Sequence, residues 1–190
     1  MNISEMLGEY ERDYALAMLG VEDFPYQKLS GKTIVVDGES EYMKFTVCMS
    51  LLALNDKEKL SIKVLMLGNG NELSEKLAER NDFSLCSYEQ AAATEYNFFI
   101  STGICGLELN GTSAEYCRIT NNFARAISTA KSCLERCILL SDYRVYGELE
   151  RGLVISENEA GFVPFSNNGD MSQTIAVSIE TYFSAYAKQF

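Results

Sequence analysis

Apolar positions along the chain fall into two repeating patterns, short unbroken runs and longer stretches with a helical period. The short runs are Thr33-Ile34-Val35-Val36, residues 62–67, Phe83-Ser84-Leu85-Cys86, Asn97-Phe98-Phe99-Ile100 and Cys137-Ile138-Leu139-Leu140. Each is four to six residues long, and several end in glycine, asparagine or aspartate, which suits strands buried on both faces. Between them lie helical stretches. One follows the turn Asp37-Gly38-Glu39-Ser40 and runs to about residue 55, with Val47, Leu51 and Leu54 as the expected inner face. Residues 55–58 read as a polar loop. Shorter helices are expected over 72–80 and 87–94. A longer one over 114–133 has apolar positions at 116, 119, 123, 126, 127 and 130, and a last one starts near Met171 with Ile175, Ile179, Tyr182, Phe183 and Tyr186. Ahead of the first strand, residues 3–19 place Met6, Tyr10, Tyr14, Leu16 and Met18 among acids, an amphipathic helix that Ser4 would cap.

Strands alternating with helices predict an α/β fold, a doubly wound parallel sheet with helices on both faces, Rossmann-like and preceded by an N-terminal helix. Residues 1–28 form the helical extension and 29–190 the sheet domain. Ligands of such sheets sit beyond the carboxyl ends of the strands. The loops to inspect are therefore 37–44, 67–71, 101–106 and 141–147.

Composition narrows what those loops can do. A hydrophobic content of 47% places the chain among ordinary globular proteins. The net charge of −11 speaks against nucleic acid and anionic membrane surfaces as partners. No apolar run is long enough to span a bilayer, and the acidic start lacks a secretory core, so the expected compartment is the cytoplasm. Histidine is absent, which excludes Ser-His-Asp and Cys-His catalysis and histidine-ligated metals within the chain. None of the six cysteines forms a C-x-x-C pair, so they read as reduced, buried, small apolar residues. No metal site is expected.

At the inspected loops the sequence resembles the extended short-chain dehydrogenase/reductase family, the NAD-dependent epimerases and dehydratases of nucleotide sugars. The carriers are Leu29-Ser30-Gly31-Lys32-Thr33-Ile34-Val35-Val36-Asp37-Gly38 and Leu140-Ser141-Asp142-Tyr143-Arg144-Val145-Tyr146-Gly147-Glu148. Ile155-Ser156-Glu157-Asn158-Glu159 and the helix holding Glu180-Thr181 follow in the same order. The resemblance implies a T-G-x-x-G-x-x-G phosphate turn, an acidic residue on the adenosine ribose, a catalytic Ser or Thr, and a Y-x-x-x-K pair. This chain departs at each. Of the phosphate-turn glycines only Gly38 remains, with Glu41 and Lys44 where the second and third belong. One like charge beside a pyrophosphate at ~4 Å costs on the order of 4 kcal/mol in a partly shielded site, about a thousandfold in affinity. Asn69 stands near the ribose position. Asp142 replaces the Ser or Thr. The Y-x-x-x-K positions are Met171 and Ile175 counted from Pro164, or Ser172 and Ala176 counted back from Glu180.

Catalytic residues are therefore expected to be none, with Asp142, Met171 and Ile175 as degenerate positions. Gly38, Glu41, Lys44 and Asn69 would be vestiges of cofactor binding. No cofactor is expected, NAD or NADP being the alternative. The family's substrate domain is absent from these residues. The favoured function is a non-catalytic epimerase/dehydratase-like module for binding or assembly. An NAD(P)-dependent nucleotide-sugar enzyme with an atypical site and a nucleotide or nucleotide-sugar sensor stay open as alternatives. The resemblance also implies pairing through helices 114–133 and 171–188, as a homodimer or as a heterodimer with an active relative, with outward residues such as Phe123 at the contact.

Overall fold

The computed structural model describes residues 25–68, 72–146 and 171–188. The expected helix over 3–19, Asn69 and the loop holding Glu148 and Glu157 lie outside them. Five strands form one parallel sheet: β1 (Thr33–Asp37), β2 (Lys63–Leu67), β3 (Phe83–Cys86), β4 (Tyr96–Ser101) and β5 (Cys133–Leu139). Their order is β3-β2-β1-β4-β5, so the chain reverses direction across the sheet between β1 and β4. This is the doubly wound α/β architecture expected from the pattern.

Helices α1 (Glu41–Glu58) and α2 (Glu72–Leu77) lie on one face, and α3 (Tyr88–Ala92), α4 (Ser113–Thr129) and α5 (Ser172–Ala187) on the other. Alternation along each strand feeds two cores. Ile34 and Val36 of β1 join Phe45, Cys48, Met49 and Leu52 of α1. Val35 between them joins Phe99, Ile119, Ile127, Ile175 and Ile179 across the sheet.

Three boundaries differ from expectation. The inner face of α1 is Phe45, Cys48, Met49 and Leu52 with Leu54, while Val47 and Leu51 are only half-buried. Apolar residues surround this helix, so periodicity does not choose a face. Helix α1 also runs through the expected loop to Glu58, because Asn55 is buried and useful there. Its amide donates to the Ile62 carbonyl at 3.2 Å and to Asp82 at 2.8 Å, and its oxygen accepts from Ile62 N–H at 2.8 Å, which anchors the start of β2.

Helix α4 stops at Thr129, and β5 starts at Cys133 after a 3₁₀ turn over Ala130–Ser132. Charged Glu135 and Arg136 hide this strand from a hydrophobicity pattern, yet Glu135 is ion-paired to Lys32 and accepts from Asn97 at 2.8 Å. The cysteines divide. Cys48 and Cys86 are buried, Cys105, Cys133 and Cys137 are half-buried, and Cys117 is exposed, so only two fit the expectation of core residues. Phe123 faces inward at 5% exposure and meets Tyr182 edge-on, with ring centroids 6.2 Å apart. It is core, not contact surface. Among the described residues no helix is long and apolar enough to cross a membrane.

Candidate functional site

Beyond the carboxyl ends of β1, β2 and β3 lies a cleft of about 850 Å³. The turn after β1 forms its floor. Ser40 caps α1, its hydroxyl accepting from Met43 N–H at 3.4 Å, and Glu41 occupies the first helical position. A carboxylate there complements the partial positive charge of the helix N-terminus, the role a bound phosphate plays elsewhere. Glu41 in turn holds Lys44 at 2.6 Å. Lys44 is buried, and its ammonium also donates to the Leu67 carbonyl at the end of β2, at 3.2 Å.

Close packing against the loop after β4 requires a glycine at position 38. Its φ is +149°, and a Cβ there would stand 1.9 Å from Thr102 Oγ1 of the loop after β4. The two loops are stitched together across the point where strand order reverses. Thr102 N–H donates to the Asp37 carbonyl at 2.8 Å and Glu39 N–H to the Gly103 carbonyl at 2.9 Å. The Glu39 side chain extends the tie to α4, accepting from Asn122 at 2.8 Å and pairing with Arg118. Further out, Arg125 lies over the Tyr88 ring at 4.5 Å and pairs with Glu89 at 3.5 Å. Glu39, Glu41 and Glu89 thus each have a basic partner.

Beneath this floor Asp37 is buried and accepts from Ser101 Oγ at 3.3 Å, its one side-chain hydrogen bond among the described residues. Burial raises its pKa to about 6, and nearby Lys44 limits the rise. Burial likewise lifts the Tyr88 phenol to about 12, so it is no base at neutral pH.

The second half of the crevice lies over β5. Asp142 is buried and consumed locally: it accepts Arg144 N–H and the Arg144 guanidinium, each at 3.0 Å, while Arg144 also donates to the Leu107 carbonyl at 2.9 Å. These bonds hold the 3₁₀ turn Tyr143–Tyr146. Met171 sits at the N-cap of α5, half-buried, its N–H on the Gly111 carbonyl at 3.1 Å. Ile175 is fully buried in the core. Ala176, also in the core at 3% exposure, lines a small cavity there with Asp142, Ser141 and Glu180. About 10 Å³ of free space remains there, at the lower limit for a single water.

Of the expected vestigial positions, Gly38, Glu41 and Lys44 meet in the cleft, while Asp142 and Ala176 line the small cavity over β5. The described residues do not fit a dinucleotide in the usual pose: the Glu39 and Glu41 carboxylates flank the turn at the N-terminus of α1, and among the described residues no phenol–lysine pair faces Asp142. Sequence reasoning missed Glu39 and its partners. The available signal was Arg118, Asn122 and Arg125, a polar stripe spaced four and three along α4. Among the described residues no group of three Cys, Asp or Glu side chains is arranged to hold a metal ion. Compared with family models, curated proteins and solved structures, the chain finds no match.

Proposed function

We propose that this chain is a non-catalytic relative of the NAD-dependent epimerases and dehydratases, a Rossmann-type module for binding or assembly that performs no hydride transfer. The observation that carries the reading is the state of the phosphate turn. Glu41 stands at the N-terminus of α1, and Glu39 straps the turn to Arg118 and Asn122. An incoming pyrophosphate would meet two carboxylates and would have to break both of their ion pairs. Opposite, Asp142 is held by Arg144, and Ala176 offers no functional group.

The test is equilibrium binding of NAD(H), NADP(H), and UDP- and dTDP-sugars by calorimetry, with melting temperature as a second readout. Ligand stabilisation follows RT ln(1 + [L]/Kd), so millimolar dinucleotide is expected to leave the melting temperature unmoved. Micromolar affinity for a dinucleotide, or NADH-linked turnover, defeats the reading.

One observation favours a second reading, a sensor of some other small ligand. The cleft volume lies in the range of ligand pockets, roughly 300–1,000 Å³. Binding of a nucleotide sugar without turnover would select it. For assembly, pairing through α4 and α5 would now rest on Tyr182, 47% exposed, in place of Phe123. A dimer mass in sedimentation that Tyr182→Glu halves would support such pairing.

A further inference from the structure

Strand β5 carries an irregularity, and two of the six cysteines meet at it. Cys133 pairs with Tyr96 of β4 and Arg136 with Phe98, so three steps on β5 match two on β4. The extra residue makes a β-bulge, which bends the strand and re-aims the side chains beside it. Cys133 Sγ lies 3.2 Å from the carbonyl oxygens of Asn97 and Arg136 and donates its proton to one of them. Turned this way, the sulfur accepts a hydrogen bond from the Cys137 thiol. Both cysteines pack against the core beneath α5, and both line a cavity of about 330 Å³ with Phe183 and Tyr186.

The span between the two positions decides what the pair can do. Their partners on β4 are Tyr96 and Phe99, three residues and about 10 Å apart. A disulfide needs Cα atoms within about 7 Å. The thiols therefore meet sulfur to sulfur but cannot join without moving the strand. An ion held between the sulfurs faces no such limit. The donor set then selects the ion. Structural zinc takes four ligands, whereas the chain has no histidine, and among the described residues no group of three Cys, Asp or Glu could hold a metal ion. Two thiolates alone are soft ligands, which suit Cu(I), an ion that is stable between two sulfurs in a line. The Cys137 thiol and the amides of Glu135, Arg136 and Phe99 lower the pKa of Cys133, while burial opposes them.

We propose that Cys133 and Cys137 form a two-coordinate thiolate site for a soft monovalent cation, Cu(I). On binding, both thiols release their protons to solvent and each sulfur donates an electron pair to the ion. Nothing is oxidised or reduced. The ion takes the place of the proton between the sulfurs, and Lys131 and Arg136 of the same cavity offset the remaining negative charge. The site lies apart from the crevice and is independent of any ligand there.

Competition between the full chain and the chromophoric Cu(I) chelator bicinchoninate, without oxygen and with thiols reduced, tests this. The unmodified protein is expected to take a single equivalent of Cu(I) per chain. Cys133→Ser and Cys137→Ser should each weaken binding by more than the roughly hundredfold that loss of an outer-shell partner costs. Cys105→Ser/Cys117→Ser should bind as the parent does. Should the Cys133 and Cys137 variants fail to fold, alkylation of the unmodified chain reads the same site. Cu(I) is then expected to shield Cys133 and Cys137 from iodoacetamide, and no other cysteine, as read by peptide mass. Copper left wholly with the chelator overturns the inference, as does binding that survives both serine substitutions or shielding of a different cysteine. Copper shared between two chains, seen as a dimer mass in sedimentation, also overturns it. So does ready closure of a Cys133–Cys137 disulfide by oxidised glutathione, because the span would then be shorter than the register sets.

Discussion

Over β1–β3 the crevice is about 850 Å³ and its acids are individually paired; over β5 it narrows to about 10 Å³ between Asp142, Ile179 and Ala176. Both halves lie beyond the same parallel sheet, a few residues past strand ends in matching register. The first half differs from a phosphate site by charge. Glu39 and Glu41 stand on the turn, the first paired with half-exposed Arg118 and the second with buried Lys44. The second half differs by volume and chemistry together: it is nearly filled, Asp142 is bonded to Arg144, the Ser141 hydroxyl to Glu180, and Ala176 carries no polar group. Charge can be re-paired by a ligand or by one substitution. Packing at interior density responds only to rebuilding. The two halves should therefore answer mutation very differently.

The largest effect is expected from treating Ile175 as though it faced the crevice. Ile175→Lys buries an ammonium among Phe99, Ile119 and Ile179. An unpaired buried ion costs several kcal/mol, against a total stability of about 5–15 kcal/mol. Circular dichroism melts should show loss of cooperative unfolding, or the protein should be insoluble. Ala176→Ser, one residue on, should melt within a few degrees of the parent. Equal tolerance of the two would place the core boundary elsewhere.

Next in size is the buried acid under the open half. Folded Asp37 titrates near 6, against 3.8 for an ordinary aspartate. Between those values the native state keeps a proton that the unfolded chain has released. Stability from this group is therefore lost as pH rises from about 4 to 6, and the whole penalty is present above that window. Two units correspond to about 3 kcal/mol. Asp37→Asn should accordingly raise the melting temperature by roughly 6–12 °C at pH 8 and by little at pH 4. Asp82 and Glu135, whose pKa values are lowered by Arg80 and Lys32, impose the opposite trend on the parent protein. The difference between variant and parent isolates Asp37. A gain independent of pH would mean that folded and unfolded chains bind the Asp37 proton equally tightly, so that burial does not raise its pKa.

These contrasts explain what could be read in the sequence. The strands β1, β2, β3 and β4 were legible because burial on both faces demands short apolar runs, and the turns between them carry Gly, Asn or Asp. Strand β5 was misjudged by four residues at its start, since an edge strand can carry Glu135 and Arg136. Gly38 stands out in the sequence as a glycine of the phosphate turn, and the geometry adds a packing reason that no pattern shows, its close approach to Thr102. Glu39 was missed because Arg118 and Asn122 lie about 80 residues away, a separation local spacing cannot bridge. Asp37 was passed over as a turn residue, its burial depending on β4 arriving beside β1. The outward placing of Phe123 failed because α5 covers it, and which of two apolar helices covers the other is a property of packing.

The smallest effect on stability, and the sharpest on the comparison, is expected from neutralising the phosphate turn. Glu39→Gln/Glu41→Gln keeps the side-chain lengths and the hydrogen bond to Asn122. It removes two negative charges and leaves Lys44 and Arg118 without carboxylate partners. Arg118 and Glu41 are about half exposed, so water and salt already screen these pairs. The loss should be about 1 kcal/mol or less at exposed Arg118 and roughly 1–2 kcal/mol at buried Lys44, which keeps the Leu67 carbonyl, a few degrees of melting temperature. Anion affinity should change more, because one like-charge contact in a partly shielded site is worth up to about a thousandfold. Calorimetry with inorganic pyrophosphate should give millimolar or tighter binding to the double variant and none to the parent, weakening as salt is raised. That result would make charge alone the barrier in the open half. If the variant stays blind to pyrophosphate, the stitched backbone of the 37–40 and 102–103 loops is the barrier. The open half would then be closed by shape, as its neighbour is.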